Sequence, residues 1–275
     1  METTRIVNGS APPGTTGVEL AGATRLVGTD RVLAVLKELA RHPNGIGLED
    51  LTRVIASPKP TVHRALGALR RARLVDQDTR GHYVLGDEFL RMAFAHHEAR
   101  PEQMRIQPVL DILAKRFSET VHYGVLDGRE VVYRAKMDPP SGAVRLTSTV
   151  GGRNPAHATG VGKMLLAHRL DTLQAVEAWI DGLALERRTP NTRCTAEDLH
   201  RDLVLTRERG YAIDDQENEV GVNCIALPVY LSSPVVPSGA VSISALAYRT
   251  PVDSLVDALD EIRRELGRIG KVQGR

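Results

Sequence analysis

Apolar residues recur at helical spacing in the first third of the chain and alternate more often afterwards. After Thr29-Asp30, the positions Val32, Leu33, Val35, Leu36 and Leu39 predict an amphipathic helix that stops near His42-Pro43-Asn44-Gly45. Leu48, Leu51, Val54 and Ile55 predict a second, shorter helix facing the same core, and a brief turn at Ala56-Ser57 leads into a third. That third stretch, residues 57–73, places Val62, Ala65, Leu66 and Leu69 on one face. Pro60, Arg64, Gly67, Ala68 and Arg71 occupy the opposite face, with Thr61 and His63 on its flanks. Pro58 and Pro60 fall where a first turn needs no amide donor, so they start the helix rather than break it. Residues 74–77 and 82–85 then read as two short strands joined by the turn-forming cluster Asp78-Thr79-Arg80-Gly81. Two helices, a tight turn, a third helix and a hairpin make a winged helix-turn-helix.

Residues 87–100 form a mixed apolar and charged segment with Phe89, Leu90, Met92, Ala93 and Phe94, ended by Pro101. Beyond residue 103 the pattern changes to intermingled strands and helices. Val109, Leu110, Ile112, Leu113 and Phe117 mark a helix, and residues 120–126 and 130–134 flank the hairpin signal Asp127-Gly128. Another strand is expected over 144–150, then helices from about 157 to 169 and over 172–180. Thr195 opens a capped helix that ends at Gly210. Three strands follow at 211–214, 223–231 and 240–246, and a final helix spans 251–267.

Composition narrows the picture only in places. At 275 residues with 42% apolar side chains, the chain can bury two modest cores. A net charge of +2 is too mild to mark nucleic-acid binding, so any basic footprint must be local. Lys59, Arg64, Arg70, Arg71 and Arg73 supply one, in a stretch without an acid. A solvated basic face and a DNA-recognition helix both fit that stretch alone; the flanking helices and wing favour recognition. Cys194 and Cys224 match no zinc spacing and no disulfide framework, which reads as reduced thiols. No long uncharged apolar run is present, and residues 1–24 read as a flexible tail without a signal peptide's apolar centre. A cytoplasmic protein with no membrane, metal or cofactor partner is expected.

Three segments of the second half carry candidate chemistry. Residues 155–167, with Gly160-Val161-Gly162-Lys163, superficially suggest a phosphate loop, but His157 and Met164 stand where that motif needs glycine and a hydroxyl. What is left is a glycine-bearing helix start, open either to a small anion or to close packing on a sheet. Residues 214–229 bring Asp214 and further carboxylates to a glycine turn, then Cys224 into an apolar strand. A nucleophilic Cys224 would need a histidine such as His122 or His157, and no local hydrolase signature supplies one; a structural or pocket-lining thiol is favoured. Ser242 and Ser244 alternate onto one side of a strand, facing either a cavity or water.

These motifs, in this order, resemble the IclR family of bacterial transcriptional regulators. The family's Lys-Ser-Thr-Val-x-Arg-x-Leu is matched by Lys59-Pro60-Thr61-Val62-His63-Arg64-Ala65-Leu66, with proline in place of serine, which removes one possible phosphate contact. Its His-Ala-Thr-x-x-Gly-Lys-x-Leu-Leu-Ala stretch is matched at 157–167 and its Glu-x-x-x-Gly-Val-x-Cys-Ile-Ala stretch at 217–226. The serine-bearing strand is matched at 242–244, although Ala245-Leu246 follows where the family usually has Gly-Pro. The resemblance covers roughly residues 29–270 and implies a mixed α/β (α+β) chain. Its parts would be a winged helix-turn-helix at 25–87, a linker helix at 88–102 and a GAF-like, mainly antiparallel effector-binding domain at 103–272. The linker would also help to pair the DNA-binding parts. The expected partners are double-stranded DNA at a palindromic operator, a small, often acidic effector, and a second copy of the chain, with a dimer of dimers suggested. Lys59, Thr61, His63, Arg64, Arg70, Arg71 and Arg80 are the expected DNA contacts. Gly160, Val161, Asp214, Cys224, Ser242 and Ser244 are the expected effector contacts.

Overall fold

The computed structural model describes residues 28–98, 101–140 and 146–269; the expected N-terminal tail lies outside them, as does the start of the strand expected over 144–150. The chain divides into two compact units, Met1–Ala95 and His96–Arg275.

In the first unit, helices α1 (Gly28–Leu39), α2 (Leu48–Ile55) and α3 (Lys59–Arg71) surround a core of Val35, Leu39, Leu51, Val62, Ala65, Leu66 and Leu69. The α3 stripe is buried as its spacing predicts. Leu33 and Val54 instead point outward, about half exposed, because each lies off the stripe that its own helix buries. Ala56 ends α2 in the left-handed conformation, with φ 50°, which turns the chain into Pro58 and α3. Thr61 and Val62 then donate to the Pro58 carbonyl, so neither proline costs the helix a bond. The wing consists of β1 (Val75–Gln77) and β2 (Tyr83–Leu85), paired antiparallel. Ile46 adds a bridge to Tyr83 from the loop before α2, tying the wing to the helices.

Helices α4 (Asp87–Glu98) and α5 (Pro101–Phe117) follow, and Pro101 opens the second. The second unit is built on a six-stranded, wholly antiparallel sheet of order β5-β4-β3-β8-β7-β6. Its strands are β3 (Thr120–Asp127), β4 (Glu130–Met137), β5 (Arg153–Pro155), β6 (Ala212–Asp215), β7 (Val222–Val229) and β8 (Gly239–Leu246). Alternation sorts the two faces. Ile225, Leu227, Val241, Ile243 and Ala245 pack with α5 and with α9 (Val252–Asp257) and α10 (Leu259–Leu266). Smaller residues, Ala212, Ala226 and Ala240, face α6 (Gly160–Ala167), with α7 (Leu173–Ile180) and α8 (Ala196–Arg209) beyond.

Three expected elements change. The helix expected from about 157 is a single 3-10 turn, Ala156–Ala158, followed by α6, because Thr159 is extended and caps α6 by accepting from the Gly162 amide. The helix expected over 251–267 breaks at Ala258 into α9 and α10. No strand forms over 146–150. Residues 153–155 pair with β4 instead, and the Lys136 ammonium draws the Leu146 and Ser148 carbonyls to itself, each at 2.8 Å.

Candidate functional site

The outer face of α3 is small and cationic. His63, Arg64, Arg70 and Arg71 are exposed and Thr61 is half-buried. Arg64 and Arg71 make no ion pair among the described residues. Lys59 reaches Glu49 at 3.1 Å, an exposed pair that solvent and salt screen heavily. Arg70 leans toward the wing, donating to the Gln77 side chain at 3.5 Å. Arg80 stands at the wing tip, where two nitrogens of its guanidinium bond Asp78 at 3.0 and 2.9 Å. The same aspartate accepts from the Arg80 and His82 amides, which hold its carboxyl below the ordinary range and fix the turn. Sequence patterning gave the position of Arg80 but not its acid partner.

In the second unit, Gly160, Val161, Asp214, Cys224, Ser242 and Ser244 line one cavity of about 270 Å³. Strand register explains why. Asp214 pairs with Cys224, Cys224 with Ser244, and Ser244 with Thr120, so the four side chains form a row on the α6 side of the sheet. One step along, Ser242 pairs with His122, and His122 with Lys136. Both serines are buried against the cavity, which decides between the two orientations open from sequence. A polar strip thus crosses a face whose other residues include Val131, Tyr133, Ala212, Ala226 and Ala240.

Helix α6 begins directly above that strip. A Cβ on Gly160 would lie 3.3 Å from the Ala226 Cβ and 3.6 Å from the Cys224 Cβ. At Gly162 it would fall 2.1 Å from the Ala156 carbonyl oxygen, so no larger residue fits without movement of the main chain. Close packing therefore accounts for the glycines, and the same packing presents the start of α6, at Gly160 and Val161, to the cavity.

Several lining groups are not among the effector contacts expected from sequence, where His122 enters only as a possible partner of Cys224. His122 bonds Ser148 at 2.7 Å through Nε2 and meets the Ser244 hydroxyl at 3.4 Å through Nδ1. Burial and the nearby Lys136 charge push its imidazole down to about 3, so it is neutral at pH 7. Tyr133 stacks against it with ring centroids 4.6 Å apart. Residues 146–149 cover one side. Arg188 and Arg153 supply the positive charge, but Arg153 already pairs with Asp127 at 2.6 Å and Glu130 at 2.9 Å. Arg188 is less committed, with Glu186 at 3.3 Å and the Asn218 carbonyl at 3.0 Å.

Behind the cavity lies a buried charge cluster. Lys163, the lysine of the failed phosphate loop, is wholly enclosed and holds Asp202 and Glu217, each at 2.5 Å. Burial alone would pull its ammonium down, but the two carboxylates outweigh that and keep it charged. Glu217 is pushed up by its own burial, and one of its oxygens has no partner. The Glu217 and Asn218 amides donate to one oxygen of Asp214, at 2.7 and 3.3 Å. Burial nevertheless raises the Asp214 carboxyl to about 7.

Cys224 faces the cavity, and among the described residues no histidine bonds its thiol directly. Its thiol donates to Ser244 at 3.0 Å, and burial and the adjacent Asp214 push its pKa well up. His157 is turned elsewhere, bonded to the Glu186 carbonyl at 2.9 Å. Among the described residues, no helix is long and apolar enough to cross a membrane.

Comparison with known proteins matches both units. Residues 28–79 fit the IclR helix-turn-helix domain and residues 103–268 the bacterial transcriptional regulator IclR C-terminal domain. The regulator XynR of Escherichia coli K12 is 30% identical over 236 residues, covering 86% of this chain and 92% of XynR. The crystal structure of Thermotoga maritima IclR superposes with a TM-score of 0.71 at 23% identity, covering 89% of this chain and 98% of that one, a likeness of fold. An IclR homologue from Microbacterium hydrocarbonoxydans, solved with 4-hydroxybenzoate, gives 0.72 at 25% identity, covering 86% of this chain and 97% of that one. The chain is a DNA-binding transcriptional regulator and belongs to the IclR family.

Proposed function

We propose that the protein reads a palindromic operator as a dimer, or a dimer of dimers, in the cytoplasm and that a small carboxylate in the second unit's cavity changes its operator affinity. Helix α3 enters the major groove, where Thr61, His63 and Arg64 reach base edges. Lys59, Arg70 and Arg71 contact phosphates, and Arg80 lies along the adjacent backbone or minor groove. The carboxylate sits at the start of α6, held by the Gly160 and Val161 amides and by the Ser242 and Ser244 hydroxyls, beside Cys224 and Asp214. One observation carries this reading: six residues spread over 85 positions, from 160 to 244, converge on one cavity beneath a helix N-terminus. The 4-hydroxybenzoate bound to the Microbacterium homologue supports the ligand class.

The chemistry favours binding over turnover. A half-buried, protonated thiol and a neutral, hydrogen-bonded imidazole provide walls rather than a nucleophile and its base. Coupling to DNA then requires only that the ligand prefer one of two states that differ in operator affinity. The test is a calorimetric screen of small carboxylic acids against the whole protein and a Ser242→Ala/Ser244→Ala variant. Binding that weakens at least tenfold in the variant supports the site. Equal binding to both proteins would move the ligand elsewhere.

A further inference from the structure

We propose that the cavity takes its anionic ligand together with one proton, carried by Asp214, which then meets the ligand as a hydrogen-bond donor. The inference rests on the carboxylate reading above and adds the protonation state of the site.

The geometry leaves little room for a second negative charge. Asp214 is 2% exposed, and one of its oxygens is already occupied by two backbone amides. The groups around it come from every neighbouring element: Cys224 on β7, Tyr133 and Lys136 on β4, His122 on β3, Arg153 on β5, Glu217 and Glu219 in the turn after β6, Lys163 on α6, Asp202 on α8, and Arg188. Cys224 and Tyr133 are protonated and His122 is neutral, all three driven that way by burial. The cations near the cavity are all engaged: Lys163 between Asp202 and Glu217, Arg188 by Glu186 and the Asn218 carbonyl, Arg153 by Asp127 and Glu130, and Lys136 by Asp138 and the Leu146 and Ser148 carbonyls. A carboxylate entering beside an ionised Asp214 would therefore face a like charge beside a buried group. Two carboxyl groups in that position share a proton, as closely placed pairs do.

Asp214, rather than Glu217, is the group that takes the proton. Glu217 keeps an oxygen 2.5 Å from the Lys163 ammonium and does not line the cavity. Asp214 does line it, has no direct cation partner among the described residues, and already sits near 7 without ligand. Once protonated, its second oxygen can donate to the ligand carboxylate alongside the serine hydroxyls.

The experiment is isothermal titration calorimetry of the full-length protein with 4-hydroxybenzoate and with pyruvate, both carboxylates ionised throughout, at pH 6, 7 and 8. Each pH is run in two buffers of different ionisation enthalpy, which counts the protons taken up. Wild type should bind with a Kd that rises towards tenfold per pH unit above about 7, absorbing close to one proton per ligand at pH 8. Asp214→Asn should bind with a pH-independent Kd and no uptake, while Glu217→Gln should keep both effects. Thermal melts confirm that each variant is folded. A wild-type Kd equal at pH 6 and 8 without uptake, or uptake that survives in Asp214→Asn, would overturn the inference and leave the carboxylate reading standing. No binding of either probe at any pH would overturn that reading, and the inference with it.

Discussion

Replacing Lys163 by methionine removes the buried ammonium from the cluster behind the cavity and leaves the volume nearly unchanged. The lysine is fully buried, Glu217 is 3% exposed and Asp202 14%. Removing one partner of a buried ion pair costs about 3–5 kcal/mol, most of it the penalty of leaving the opposite charge unpaired. Asp202 retains Arg209 at 3.6 Å, so the larger share falls on Glu217. We expect a loss of about 4 kcal/mol at pH 7.5. The loss should shrink at pH 5.5. Burial already pushes the Glu217 carboxyl up and the Lys163 charge opposes it, so without that charge the variant should gain stability as pH falls and lose it as pH rises through the Glu217 carboxyl. Restoring neutrality with Lys163→Met/Asp202→Asn/Glu217→Gln should recover most of the loss, because a matched neutral set is nearly as stable as a buried ion cluster. Urea unfolding followed by fluorescence reads the right part of the molecule, since the chain's single tryptophan, Trp179, packs in the core that contains α6. A cost below about 1 kcal/mol at both pH values, or a triple variant no better than the single one, would refute this view of the cluster.

Further outcomes follow from other parts of the structure. Arg64→Ala should lose about 1–3 kcal/mol at particular base pairs, whereas Arg71→Ala should weaken every sequence alike and lower the salt slope by about one; identical behaviour of both with wild type would refute the assigned docking face. Gly162→Ala should destabilise the second unit by about 3 kcal/mol or more, because its Cβ would meet the Ala156 carbonyl at 2.1 Å, and a melt unchanged within a degree would contradict that packing. Asp214 is raised from 3.8 to about 7, so its contribution is present below the unfolded value and is lost as pH rises through 7. Between pH 5.5 and 8 wild type should therefore lose about 2 kcal/mol relative to Asp214→Asn; parallel urea curves for the two proteins would contradict the shift.

Local signals made much of this molecule legible. The stripe Val62, Ala65, Leu66 and Leu69 fixed both the helix and the face it leaves outward, because burial of α3 depends only on spacing within itself. Alternation put Ser242 and Ser244 on one side of β8, but which side faced a cavity depended on α6, about eighty residues earlier. Long-range partners were not legible. Lys163 looked like the remnant of a phosphate loop, and nothing near it in sequence names Asp202, 39 residues on, or Glu217, 54 residues on. Arg188 belongs to a segment without a motif, and His122, in a strand the hairpin signal did reveal, reaches the cavity only through strand register. Residues 146–150 carry strand-forming side chains, yet Lys136 outcompetes a ladder for their carbonyls.

Binding of the full-length protein to duplexes from the DNA flanking its own gene tests the central claim most directly. The measurement is made at two salt concentrations, with and without a carboxylate that calorimetry has shown to bind. A palindromic footprint that weakens steeply with salt, and whose affinity shifts when the carboxylate is added, is the predicted result. Salt-sensitive binding that the bound carboxylate leaves unchanged would contradict effector control by the cavity. Binding of equal strength to every sequence, with or without the carboxylate, would contradict the assignment of α3 as the reading helix.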